Sequence, residues 1–216
     1  MTPLRFLIAR TLRDEPTLAS LSISREALLA HLKHQTVALV GNARALSQTT
    51  FGAAIDAHDL VIRINRAPGT GAASHGTRTD WLALATSLDA ATYARLAPTM
   101  TLWMSHKRKR LPYRVTHHPF YLHPQPAIRA LWDRLADQPT TGLMLIDLLA
   151  QSEATRIDLY GFDFFASLSL SGHRSAAQVP HDFASEKAFV DAILVADPRF
   201  TLHPMPKGDS PAPNAA

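Results

Sequence analysis

What most constrains the fold of this chain is an alternation of two hydrophobic periods. Val37-Ala38-Leu39-Val40, Asp59 to Asn65 (DLVIRIN), Asp80 to Ala85 (DWLALA), Met100 to Met104 (MTLWM) and Arg156 to Tyr160 (RIDLY) are short, largely apolar runs. Runs of that length, bounded by Gly, Asn or Asp, predict strands of a buried parallel sheet. Around them the spacing turns helical. Residues 1–35 read as helix, with Ser24 placed before Leu28, Leu29 and Leu32; Ala127–Asp137, Thr141–Ser152 and Phe183–Ala192 read the same way. Strands alternating with helices predict an α/β layered fold with a mostly parallel central sheet flanked by helices. Ligands of such sheets sit beyond the carboxyl ends of the strands. Gly41-Asn42, Asn65 and the segment after Tyr160 are therefore the places to look.

Composition removes whole classes of function. The chain of 216 residues has no cysteine. That excludes a disulfide framework, a cysteine-zinc site, an iron–sulfur cluster and a catalytic thiol. No run approaches the roughly 18 apolar residues of a membrane span. The opening MTPLRFLIARTLRDEP breaks its apolar patch at Arg10 and lacks the form of a signal peptide, so a cytoplasmic protein is expected. The net charge of +4 is a mild basic bias and not a nucleic-acid signature. His117, His118 and His123 are interrupted by Pro119 and Pro124, with no carboxylate nearby, and give no metal set. Residues 1–205 are expected to form one domain, and the Pro-rich residues 206–216 a disordered tail.

The polar residues at the expected ligand edge each have a plain reading and a chemical one. Gly41-Asn42 is an ordinary turn, and also a place where backbone approaches a ligand and an amide offers donor and acceptor. Asn65 closes a strand end in the same two ways. Thr140 and Thr141 before Gly142 read first as a helix cap. A helix start with free N–H groups is also an anion site. His173 and His181 flank the segment SGHRSAAQVPHDFASE, and Glu186 falls in the first turn of the following helix. A histidine near its ordinary pKa suits general-base work at neutral pH. His106 to Arg110 (HKRKR), with Arg114, is the densest positive run, either a solvated loop or a holder of an anionic ligand.

The order of these pieces carries more than any one of them. VALVGNARALSQTTFGAAIDAHDLVIRINRAP, followed by GTRTD, resembles the large sialyl motif of glycosyltransferase family 29, the sialyltransferases. PTTGLMLIDLLAQSEATRIDLYGFDFF resembles the small motif, and HDFASE the very small one, H-x4-E. The resemblance implies a Rossmann-like fold, a CMP-sugar donor carrying sialic acid or Kdo, a glycan acceptor, and inverting transfer with neither metal nor cofactor. It implies that Gly41, Asn42 and Asn65 contact the CMP moiety, and that Thr140, Thr141 and Gly142 hold the ribose–phosphate or sugar-carboxylate region. His181 would be the general base, Glu186 its supporting residue, and His173 a phosphate-binding group. The chain departs from the pattern where the motif cysteines fall, at Val37 and Ala154, as a cytoplasmic bacterial-type protein would. It also has Ala43 where serine is common. A non-catalytic CMP-binding protein on the same fold is the alternative, and a polynucleotide-binding domain built on the basic run is a more distant one.

Overall fold

A computed structural model of the chain describes residues 1–67, 71–117, 119–163 and 183–206. Among these, seven strands form one sheet: β1 (Thr36–Val40), β2 (Leu60–Ile64), β3 (Trp81–Leu84), β4 (Met100–Trp103), β5 (Phe120–Leu122), β6 (Arg156–Tyr160) and β7 (Phe200–Leu202). Their order is β5-β4-β3-β2-β1-β6-β7, and every neighbouring pair is parallel. The order reverses at β1, which pairs with β2 on one side and β6 on the other. A crevice at the carboxyl ends of the strands belongs at such a reversal.

The helices are α1 (Pro3–Leu12), α2 (Glu15–Ala19), α3 (Arg25–Leu32), α4 (Gly52–Asp56), α5 (Ala72–His75), α6 (Ala90–Leu96), α7 (Gln125–Leu135), α8 (Thr141–Ala150) and α9 (Phe183–Ala196). The helix expected over residues 1–35 is thus three helices. Arg13 takes a left-handed φ of 58° and ends α1, and Asp14 caps α2, whose Pro16 lacks only an N–H that a helix start leaves unpaired. No helix among the described residues is long and apolar enough to cross a membrane.

Alternation along the strands sorts the core into two faces. Val37 and Leu39, Ile62 and Ile64, Ala83, Leu102, and Ile157 and Leu159 join α3, α7, α8 and α9 in one large cluster. Helix α8 is buried almost all round, which is why its sequence shows no polar stripe. The opposite face is divided. Leu82, Leu84 and Trp103 pack with α1 and α2, while Ala38, Val40, Val61 and Tyr160 pack with Leu46 and Ile55. Between these clusters β2 turns Arg63 inward, 5% exposed, and its guanidinium donates to the carbonyls of Arg78 and His75 at 2.7 Å.

Much of the GTRTD segment works as a brace around this seam. The Asp56 carboxylate accepts from the N–H groups of Thr77 and Arg78, and Arg78 donates in turn to the carbonyls of Asp56, His58 and Asp59. On β6, buried Asp158 accepts from His58 at 2.6 Å, Arg156 at 2.6 Å and His203 at 3.2 Å. Burial alone would raise both carboxyl groups. For Asp56 the N–H groups of Arg78 and Thr77 outweigh it, for Asp158 the donors His58, Arg156 and His203, and both pKa values end below the usual one. A depressed native pKa stabilises the fold above the unfolded value near 4 and loses that contribution as pH falls through the native one. Thermal melts between pH 7 and pH 2 are expected to show a steep fall in Tm below about pH 4. Asp158→Asn should flatten that fall, and an unchanged acid profile would remove Asp158 from the account.

Candidate functional site

The structure brings the ends of β1, β2 and β6 together with the start of α8. Gly41 and Gly161 make the tightest contact. Gly41 N–H donates to the Tyr160 carbonyl at 2.7 Å, and Ala43 N–H donates to the Gly161 carbonyl at 3.1 Å. A Cβ on Gly41 would lie 2.3 Å from the Gly161 carbonyl oxygen, and Gly161 itself has φ +69°. Only glycine permits this crossing. It lies where the strand order reverses.

Asn42 and Asn65 leave adjacent parallel strands on one edge, as their sequence positions predict. Asn42 Nδ2 donates to the Ile64 carbonyl at 3.2 Å, and Asn65 Oδ1 accepts from Ala85 N–H at 2.9 Å. Asn65 holds φ 53°, a conformation asparagine tolerates better than most residues. Both side chains therefore have a structural duty. Each also keeps one uncommitted group among the described residues, the Oδ1 of Asn42 and the Nδ2 of Asn65. Half-buried and braced, they present an acceptor and a donor without loss of side-chain freedom on binding.

Helix α8 runs back against the strands, so its N-terminus lies at the same edge. Thr140 caps it, its hydroxyl accepting from Leu143 N–H at 3.1 Å. Gly142 faces Phe162 and Ile64; a Cβ there would meet Phe162 Cε1 at 2.8 Å. Glu186, on α9 and 5% exposed, accepts from Thr140 N–H at 2.6 Å and from the Thr140 hydroxyl at 2.8 Å. A carboxylate thus already complements the α8 dipole. Among the described residues, what remains at this helix start are the N–H groups of Thr141 and Gly142 beside the Thr141 hydroxyl. Next to a fixed negative charge these suit hydroxyl groups of a ligand better than a second anion.

Gly41, Asn42, Asn65, Thr140, Thr141, Gly142 and Glu186 accordingly gather at one place. His173 and His181 lie outside the described residues, as does Pro68 of the large motif. Sequence reasoning did not single out Phe162, which covers Gly41 and Gly142, nor the duty of Glu186 toward Thr140. The H-x4-E spacing marks Glu186, but its partner lies 46 positions away and has no signal in local sequence.

Farther along the same edge, the loop after β4 and the start of α7 enclose a basic groove of about 920 Å³. Arg13, His106, Lys107, Arg110, Arg129 and Trp132 line it. Burial, then the charges of Lys107, Arg108 and Arg110, push the His106 pKa down. With three strand spacings from β1 to β4, the groove begins roughly 14 Å from Asn42.

Comparison with known proteins agrees with this fold. Residues 8–110 match the family model for glycosyltransferase family 29 (sialyltransferase). A mammalian sialyltransferase in complex with Gal-beta-1-3GalNAc-ortho-nitrophenol shares the fold at 20% identity and a TM-score of 0.57, over 81% of this chain and 70% of that one. The sialyltransferase CstII from Campylobacter jejuni, in complex with cytidine-5'-monophosphate, does so at 14% identity and a TM-score of 0.51, over 79% of each chain. A search of the curated proteins found no match. Residues 8–110 are thus similar to glycosyltransferase family 29, and the chain shares its fold with sialyltransferases.

Proposed function

We propose that the protein transfers an acidic sugar, sialic acid or Kdo, from a CMP-sugar donor to a glycan hydroxyl. The observation that carries this reading is the meeting of Gly41-Asn42, Asn65 and the α8 start at the strand-order reversal of a family 29 fold. Asn42 Oδ1 and Asn65 Nδ2 read the nucleotide. The free groups of Thr141 and Gly142 take the ribose hydroxyls, since Glu186 leaves no room for a second negative charge there.

His181 is the general base, taking the acceptor proton as the hydroxyl attacks the anomeric carbon and CMP leaves from the opposite face. A single displacement inverts that carbon, and the sugar passes through an oxocarbenium-like state. The role rests on the H-x4-E motif, whose Glu186 ties α9 to the α8 start; His173 is assigned to the leaving phosphate on its motif position alone. The basic groove supports an anionic acceptor. Apolar Val37 and Ala154 at the motif's cysteine positions support a cytoplasmic, bacterial-type enzyme.

Calorimetric titration with CMP, and with UMP and GDP as controls, tests the donor site. Asn65→Asp is the informative variant, because its carboxylate still accepts from Ala85 N–H while the free donor is lost. Its Kd for CMP is expected to rise at least roughly tenfold, a change of about 1.4 kcal/mol. Unaltered CMP binding in this variant would dismiss the proposed nucleotide contact. His181→Ala should keep CMP affinity and slow transfer by roughly 10²–10⁴-fold. CMP binding without transfer to any acceptor would favour the non-catalytic reading.

A further inference from the structure

Helix α1 turns the wrong face outward. Phe6 and Ala9 are buried against the β3–β5 side of the sheet, but Leu4, Leu7, Ile8 and Leu12 are 67%, 46%, 51% and 73% exposed. At 100° per residue these four fall within an arc of about 140°, broken only by Thr11. Single exposed apolar residues are ordinary; a contiguous stripe of four on one helix marks an interaction surface. The helix is well formed, with Thr2 capping its start and a left-handed Arg13 closing its end. The stripe is therefore held on a fixed scaffold.

What borders the stripe indicates what covers it. Arg5 on α1 and Arg13 at its C-cap lie beside it, and the 106–110 loop packs against the helix. That junction is fixed by Arg10 Nη1 donating to the Leu111 carbonyl at 3.1 Å and the Tyr113 hydroxyl donating to the Met1 carbonyl at 2.6 Å. The loop's own acid partner is used up: Glu15 pairs with Arg108, whose side chain is buried and also donates to the Ser105 and His123 carbonyls. Asp14, the other acid here, accepts from Thr17 N–H. Arg13, Lys107, Lys109 and Arg110 are exposed and make no ion pair among the described residues.

We infer that α1 and the 107–110 loop form a docking surface for an anionic lipid bilayer, the apolar stripe entering the headgroup boundary and the cations meeting lipid phosphates. An apolar helix face flanked by Arg and Lys is the pattern of an interfacial helix. A second copy of the chain is a poorer occupant. A two-fold contact through α1 would bring Arg5, Arg13 and the loop cations of both copies together, and like charges across an interface are costly. Because the loop leaves the carboxyl end of β4, docking would bring the bilayer to the edge that carries the candidate donor site. The inference does not depend on the transfer reaction.

The test is flotation of the full chain with phosphatidylcholine vesicles, with and without phosphatidylglycerol. The parent should float only with the anionic vesicles and be released by salt. The variant carrying Leu4→Ser, Leu7→Ser, Ile8→Ser and Leu12→Ser should partition at least roughly tenfold less while still melting cooperatively, because Leu4 and Leu12 are largely exposed and Leu7 and Ile8 about half exposed. The variant carrying Lys107→Ala, Lys109→Ala and Arg110→Ala should lose roughly a hundredfold, at about fivefold per cation near an anionic leaflet. Equal partition of parent and serine variant would overturn the proposal. So would indifference to phosphatidylglycerol, or sedimentation showing a dimer that the serine variant abolishes.

Discussion

Gly41→Ala is expected to cost at least about 3 kcal/mol, at or beyond the upper end of ordinary overpacking, and to abolish CMP binding. The added Cβ would stand 2.3 Å from the Gly161 carbonyl oxygen and 3.0 Å from its carbon, both backbone atoms that no rotamer change can move. Gly161 cannot yield easily. It sits at φ +69°, its own approach to the Gly41 carbonyl oxygen is 3.0 Å for a Cβ, and its carbonyl accepts from Ala43 N–H. Relief would require β1 and β6 to part at their carboxyl ends, which is where Asn42 is aimed. For a chain of this size the loss corresponds to a Tm lowered by roughly 6–12 °C. Gly142→Ala is the control. Its Cβ would meet the far end of Phe162, 2.8 Å away, and a side chain can swing where backbone cannot. A Gly41→Ala protein that melts with the parent and binds CMP normally would show that the crossing does not shape the site.

Glu186→Ala should lower Tm by at least roughly 6 °C and weaken CMP binding together, although Glu186 is not assigned to the nucleotide. Its carboxylate accepts two hydrogen bonds from Thr140, and bonds to a charged group contribute about 1.5–3 kcal/mol each before the cost of leaving buried donors unmet. The loss would release the cap of α8 and shift Thr141 and Gly142 with it. Glu186→Gln retains one accepting oxygen, so it should recover most of the CMP affinity while remaining less stable than the parent. That split distinguishes a positioning residue from one that only holds the fold. Melting curves and CMP titrations on the two variants measure it, and equal affinity in parent and alanine variant would confine Glu186 to stability.

The parts of the fold that could be read beforehand are those whose signal is local and repeated. The five interior strands were visible because parallel strands buried on both faces leave nearly continuous apolar runs, and Asn42 and Asn65 could be put on one edge because parallel neighbours end on the same side. β5 and β7 leave no such signal. Each has three residues, Phe120–Leu122 and Phe200–Leu202, too short for any period to show, and it is the register against β4 and β6 that makes them strands. Within residues 1–35, Asp14 and Pro16 mark a readable break, masked by the apolar spacing that resumes beyond it. Asp158 was readable as well, since a charge in a central strand demands a partner. That the partners would be His58, Arg156 and His203 was not, because two of them lie 100 and 45 positions away.

Sequence by itself determined that the chain is an α/β protein with its ligand edge at the strand ends, and its ordered motifs pointed to family 29. Those features follow from short-range patterning of side chains, which any stretch of chain displays on its own. Only the tertiary structure decided which motif residues brace and which remain free. Asp56, Arg63 and Arg78 hold loops and a buried seam, while one polar group on each of Asn42 and Asn65 is left over among the described residues. It also decided that the α8 start already has its carboxylate, and that α1 shows four apolar side chains to its surroundings. Hydrogen-bond capacity is spent pairwise across long sequence separations, so what a residue has left for a ligand is known only once its partners are in place.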